Sequence, residues 1–192
     1  INQSALDTFG RIDIVIANAG FNRPKALSEI ALDDFEAILS VHLMGGYHVT
    51  RPAFPLMCAQ GYGRIVLTSS IAGLYAEKLL AGYATAKAGL IGLSNVMAHE
   101  GAAHGVFSNA IVPSAETRLS EGRDTSMFPD MRAELVAPLV AWLCHESCTV
   151  NGQLPIALAG VVWLIGKRNP ADGSRQPADG EEPEDGNRQT LD

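Results

Sequence analysis

Short apolar runs alternate with longer segments of helical spacing along the chain, and this alternation restricts the fold more than any other feature. Ile12–Ala17 is an apolar run closed by Asn18-Ala19-Gly20, the pattern of a buried strand leading into a turn. Leu32–Tyr47 places Phe35, Ile38, Leu39 and Leu43 on one side of a predicted helix. Its first turn carries Asp33, Asp34 and Glu36, where negative charge suits the helix dipole. Arg64–Thr68 predicts a second buried strand, opened by the turn at Gly61 and Gly63. Tyr83–His99, rich in Ala, Leu and Ile, predicts a long helix, and Phe107–Val112 a third strand stopped by Pro113. Arg132–Cys144 predicts a helix that is either interrupted at Pro138 or begins just before it. Gly152–Ala159 reads as the last strand, with Pro155 suggesting an edge position because proline cannot donate to the ladder. The fold expected is α/β: a parallel sheet with helices on both faces.

Bulk properties narrow the class. The 192 residues suffice for one domain with a single core. A net charge of −7 argues against a broad nucleic-acid footprint, which needs a basic surface. Cys58, Cys144 and Cys148 are too few for a disulfide framework and point to a reducing compartment. The longest apolar run, Leu154–Ile165, is too short to span a bilayer, and no signal peptide is evident. After Gly166 the composition turns polar, and the string PADG occurs twice, at 170–173 and 177–180. The domain is therefore expected over 1–166, with 167–192 a disordered polar tail. Ile1 stands where a methionine would, and Ile1–Phe9 reads like the end of a helix already under way, so a fragment is expected.

Chemistry concentrates at three places. Tyr83 and Lys87 are four residues apart, so a helix presents both on one face. A phenol titrates near ~10, and a nearby ammonium favours the phenolate and lowers that value. Alone the spacing is common and weak. Ser70 lies at the end of the second strand, where open α/β sheets bind ligands. It can polarise a carbonyl, or it can merely cap the next turn. Asn18-Ala19-Gly20 closes the first strand with small residues that let a ligand approach the backbone, or that simply make a turn. Cys144-His145-x-x-Cys148 offers soft ligands but has no second cluster to complete a tetrahedral metal site, so no metal is expected.

The series IANAG, TSS, YATAK and NAIVP, in that order and spacing, resembles the short-chain dehydrogenase/reductase family over nearly all of residues 1–166. The resemblance implies a Rossmann-type sheet using NAD, with NADP not excluded. It makes Tyr83 the general acid/base and Ser70 the group that positions the carbonyl. Lys87 then holds the nicotinamide ribose and lowers the tyrosine pKa. Asn18, Ala19 and Gly20 fall beside the adenine-ribose side of the cofactor, and Pro113 and Thr117 in the loop around the carboxamide. Where the family usually has an asparagine that holds a relay water, this chain has His42, in Val41-His42-Leu43-Met44-Gly45. Imidazole can serve the same relay near neutral pH, or be a hydrogen-bonded histidine without a kinetic role. VHLMGGYHVTRPAFPLM, YGRIVLTSS, LIGLSNVMAHEG and above all Val136–Gly152 resemble a narrower subgroup, the (3R)-hydroxyacyl-CoA dehydrogenase modules of type 2 multifunctional enzymes and their bacterial relatives. That implies a (3R)-3-hydroxyacyl-CoA substrate and a homodimer formed through the helices at Leu32–Tyr47 and Tyr83–His99. Cytoplasm is favoured, since Thr-Leu-Asp is not a peroxisomal address, with the peroxisome the alternative.

The departures are as specific as the matches. The family's first strand, its glycine-rich diphosphate turn and the residue selecting NAD or NADP are missing from this sequence, so the sheet is expected to lack its first strands. An internal strand would then become an exposed edge. Pro113-Ser114 stands for the usual Pro-Gly. Ala76–Gly82 replaces a glycine- and glutamine-containing stretch that shapes the substrate pocket in the subgroup. Three readings follow: a hydroxyacyl-CoA dehydrogenase, a non-catalytic homologue keeping only the dimer surface, and a reductase of another ketone such as a steroid or a 3-oxoacyl thioester.

Overall fold

In a computed structural model, which describes residues 1–117, 119 and 130–164, five strands form one sheet in the order β1-β2-β3-β4-β5. These are β1 (Ile14–Ala17), β2 (Gly63–Thr68), β3 (Val106–Ser114), β4 (Pro155–Leu158) and β5 (Val161–Leu164). The first four run parallel, and β5 turns back antiparallel to β4. Helices α1 (Asn2–Phe9), α2 (Leu32–Leu39), α3 (Gly45–Gln60), α4 (Ala72–Tyr75), α5 (Ala81–Gly101) and α6 (Ala137–Cys144) make up the rest, with a π-helical turn, Ser40–Met44, joining α2 to α3. Among the described residues no helix is long and apolar enough to cross a membrane. The expected polar tail at 167–192 lies outside the described residues.

Side-chain alternation along the strands feeds two apolar clusters. On one face Val15, Ile65 and Leu67 pack with Ala53 and Met57 of α3 and Leu90 and Met97 of α5. On the other, Val66, Ile111 and Ala157 pack with Leu139, Leu143 and Cys144 of α6, and Cys148 joins them. Both cysteines of the apparent metal motif are thus core residues, while His145 is exposed.

The structure corrects several expectations. β1 is an outer strand and is not wholly buried, since Ile14 and Ile16 are 46% and 49% exposed and take no part in the cluster that α6 forms over β2, β3 and β4. The helix expected to end at Tyr47 continues to Gln60 despite Pro52 and Pro55. β3 does not stop at Pro113 but runs to Ser114. Ile111 accepts from Ser69 N–H at 2.8 Å on the β2 side, whereas Ala110 N–H donates to Gln153 on the other. Two residues beyond Ile111, Pro113 therefore faces the side β2 has vacated, where a missing N–H costs no ladder bond. Pro155 does not mark an edge. It is the first residue of β4, which tolerates proline, and β5 covers the flank. The segment before α6 resolves in favour of a start just before Pro138, with a 3₁₀ turn at Ala133–Val136 leading in.

Candidate active site

Parallel strands end at one rim, and this brings together groups far apart in sequence. Asn18 follows β1, Ser69 and Ser70 follow β2, and Pro113 is the last residue but one of β3 with Thr117 beyond it. Thr68 Oγ1 donates to Asn18 Oδ1 at 3.0 Å, tying the first two strand ends together.

Helix α5 crosses under this rim and supplies the two residues with chemical potential. Lys87 is 3% exposed, and its Nζ donates to the Thr68 carbonyl at 2.5 Å. The same Nζ lies 5.3 Å from the centroid of the Tyr83 ring, one helical turn back. Ser69 Oγ donates to the Lys87 carbonyl at 2.8 Å, fixing that turn of α5 against β2 from the other side. α4 approaches equally closely, since a Cβ on Gly73 would fall 2.8 Å from the Lys87 carbonyl carbon. Burial pushes the Lys87 ammonium down to a pKa of about 8. An ammonium has three donors, and among the described residues this one makes a single hydrogen bond. A buried cation with donors to spare suits a ligand presenting hydroxyl acceptors, as a ribose does.

His42 enters from the opposite side, on the π-helical turn. Its ring stands edge-on to Tyr83, with centroids 5.2 Å apart and planes at 86°. Nε2 lies 2.7 Å from the Phe21 carbonyl oxygen and 3.1 Å from the Phe21 amide nitrogen. One tautomer donates to that carbonyl and the other accepts from that N–H, so the Phe21 backbone satisfies Nε2 in both. Nδ1 is buried and has no partner among the described residues. Burial lowers the His42 pKa; hydrogen bonding to Phe21 opposes this, and the Lys87 charge adds to the lowering. Helix α2 holds this turn close to α5 because Gly82 leaves room for Phe35 and Ile38.

Of the residues expected from the sequence, Tyr83, Lys87 and His42 form one cluster. Asn18 reaches Lys87 through Thr68. Ser70 Oγ accepts the Ala72 N–H at 3.2 Å, the capping contact, which leaves its hydroxyl hydrogen available to donate. Ala19, Gly20 and Thr117 are exposed at the rim, and Thr117 Oγ1 accepts from Leu119 N–H at 3.2 Å. Sequence reasoning missed Thr68, Ser69, Gly73 and the Phe21 backbone. The first two stand inside the TSS motif, where the residues beside Ser70 are the available signal; Phe21 acts through backbone atoms and leaves none.

A sequence model described as short chain dehydrogenase matches residues 1–125. The chain is similar to the peroxisomal multifunctional enzyme type 2 of Drosophila melanogaster, at 43% identity over 159 residues that make up 82% of this chain and 27% of the relative. It is also similar to the 3-oxoacyl-[acyl-carrier-protein] reductase FabG of Thermotoga maritima, at 34% identity over 164 residues, 79% of this chain and 67% of that one. A solved structure of a short chain dehydrogenase from Mycobacterium avium matches with a TM-score of 0.76 and 33% identity, covering 88% of this chain and 64% of the other. The chain spans about a quarter of the length of the multifunctional relative.

Proposed function

The chain belongs to the short-chain dehydrogenase family, and we propose that it carries the proton-transfer end of an oxidoreductase acting on a (3R)-3-hydroxyacyl-CoA and its 3-ketoacyl-CoA. The observation that carries this reading is the buried Lys87 ammonium, bonded to Thr68 and set 5.3 Å from the Tyr83 ring. The nicotinamide dinucleotide, NAD with NADP as the alternative, would take up or supply the hydride when bound. Tyr83 takes the hydroxyl proton from the substrate during oxidation and returns it during reduction. Lys87 favours the phenolate, and its unspent donors hold the cofactor's ribose. Ser70 donates to the substrate oxygen through the hydrogen that its contact with Ala72 leaves over.

His42 extends this machinery as a proton relay. A relay group must accept on one atom and release from another, and the Phe21 backbone tolerates both tautomers at Nε2 while Nδ1 has no partner among the described residues. Asn18, Ala19, Pro113 and Thr117 line the cofactor side of the rim. A homodimer would use the segment Leu32–Tyr47, from α2 to the start of α3, and Tyr83–His99 of α5, where Tyr47 and Val96 are exposed. The peroxisomal relative favours a peroxisomal setting over the cytoplasm expected from the sequence. A second reading, reduction of a carrier-bound 3-oxoacyl thioester, draws support from the Thermotoga relative.

Turnover of (3R)- and (3S)-3-hydroxyacyl-CoA with NAD, read as NADH formation, tests the assignment. Preference for the R enantiomer is expected; preference for S, or turnover of neither, rejects it.

A further inference from the structure

Gly20 belongs to the motif beside the cofactor, yet the structure gives its missing side chain a different neighbour. A Cβ built on Gly20 falls 2.0 Å from Cε1, 2.6 Å from Nδ1 and 2.9 Å from Nε2 of His42. These are atoms of a rigid ring that is 4% exposed and gripped at Nε2 by Phe21, so it cannot swing aside as the end of a flexible chain would. Backbone conformation does not require glycine here, because Gly20 is not among the glycines with positive φ. Space does. Tyr83 stands edge-on to the same ring, with centroids 5.2 Å apart. An added methyl would therefore shift the imidazole relative to the phenol or break its contact with Phe21.

We propose that Gly20 is a positioning residue: it is glycine to leave room for the His42 imidazole, and it thereby sets the placement of His42 against Tyr83. This rests on the relay reading of His42. The role differs from close approach of a cofactor to the backbone, and the two predict different kinetics. Room for His42 makes the cost of a methyl conditional on the ring being present. Contact with a cofactor makes that cost independent of position 42.

A double-mutant cycle separates them, using Gly20→Ala, His42→Ala and the double variant. Gly20→Ala alone is expected to lower kcat by about tenfold or more while KM for NAD changes by less than about threefold. It is also expected to lower the melting temperature. In the His42→Ala background, adding Gly20→Ala is expected to change kcat by less than about twofold and to leave the melting temperature nearly unchanged. Equal losses in both backgrounds, or a rise in KM for NAD common to both, would overturn the proposal. If His42→Ala leaves kcat unchanged, the relay reading falls by itself. The melting temperatures then decide the placement of the ring: coupling between the two substitutions upholds it, and additive losses refute it.

Discussion

Ala76→Gly should make the protein more stable, although it removes a side chain and loosens the unfolded chain. Ala76 closes α4 with φ 60° and ψ 167°, a region that glycine alone enters freely. Three residues later Leu79 has φ 69°. Neighbouring bonds hold both in place. Ala76 N–H donates to the Ala72 carbonyl at 3.2 Å, and the Leu79 carbonyl accepts from Lys25 N–H at 2.9 Å. A non-glycine residue in such a conformation costs ~1–3 kcal/mol. Glycine would recover that, less ~0.4–1 kcal/mol for the extra freedom of the unfolded chain. Because Ala76 is exposed, little burial is lost with its methyl. The net gain is ~0.5–2 kcal/mol, which for a domain of this size raises the melting temperature by ~2–6 °C. Thermal unfolding followed by circular dichroism measures it directly. An unchanged or lower melting temperature would mean that the segment between Ser70 and Tyr83 stores no strain.

Tyr83→Phe should cut turnover by ~10²–10⁴-fold while the KM for NAD stays within a few-fold, as steady-state kinetics would show; turnover near the unaltered level removes the proton-transfer role. Lys87 gives a stability test that needs no substrate. Its folded-state pKa is about 8 against 10.5 for an unburied lysine, so between those pH values the unfolded chain binds more protons and folding stability rises with pH. Below pH 8 the cost of burying the charge is present in full. Urea unfolding at a series of pH values should therefore show the natural protein gaining on Lys87→Met from pH 8 to 10.5, and parallel curves would contradict a buried ammonium.

The strands were legible because parallel strands covered on both faces read as unbroken apolar runs, and β2 is buried at every position. The Tyr83–Lys87 pair was legible because helical spacing alone brings positions four apart together. Sequence pattern could not separate the two roles of Ser70, since one hydroxyl can cap Ala72 and still donate elsewhere. Nor could proline be read locally. Pro113 is tolerated because β2 ends beside it, and Pro155 because it opens its strand, facts that belong to neighbouring chain segments. Gly20 carries the same lesson more sharply. Its motif pointed to a ligand, and the ring that fills its space comes from 22 positions along the chain.

The helix that ran past its expected end shows why His42 sits where it does. From α2 into α3 the buried positions are Ile38, His42, Gly46, Thr50, Ala53 and Met57, so the first three steps are four residues each. In an α-helix of 3.6 residues per turn, twelve residues carry a side chain about 120° past its starting direction. Ile38 and Thr50 could not then both lie on the buried side of the segment. The wide turn at Ser40–Met44 takes up part of that rotation, which keeps Ile38 against α5 and leaves Ala53 and Met57 buried under the sheet. His42 lies inside that turn, directed at the Phe21 backbone and Tyr83. A period near four reads as a failing α-helix when spacing is the only guide, although here it is the geometry that delivers the imidazole to the phenol.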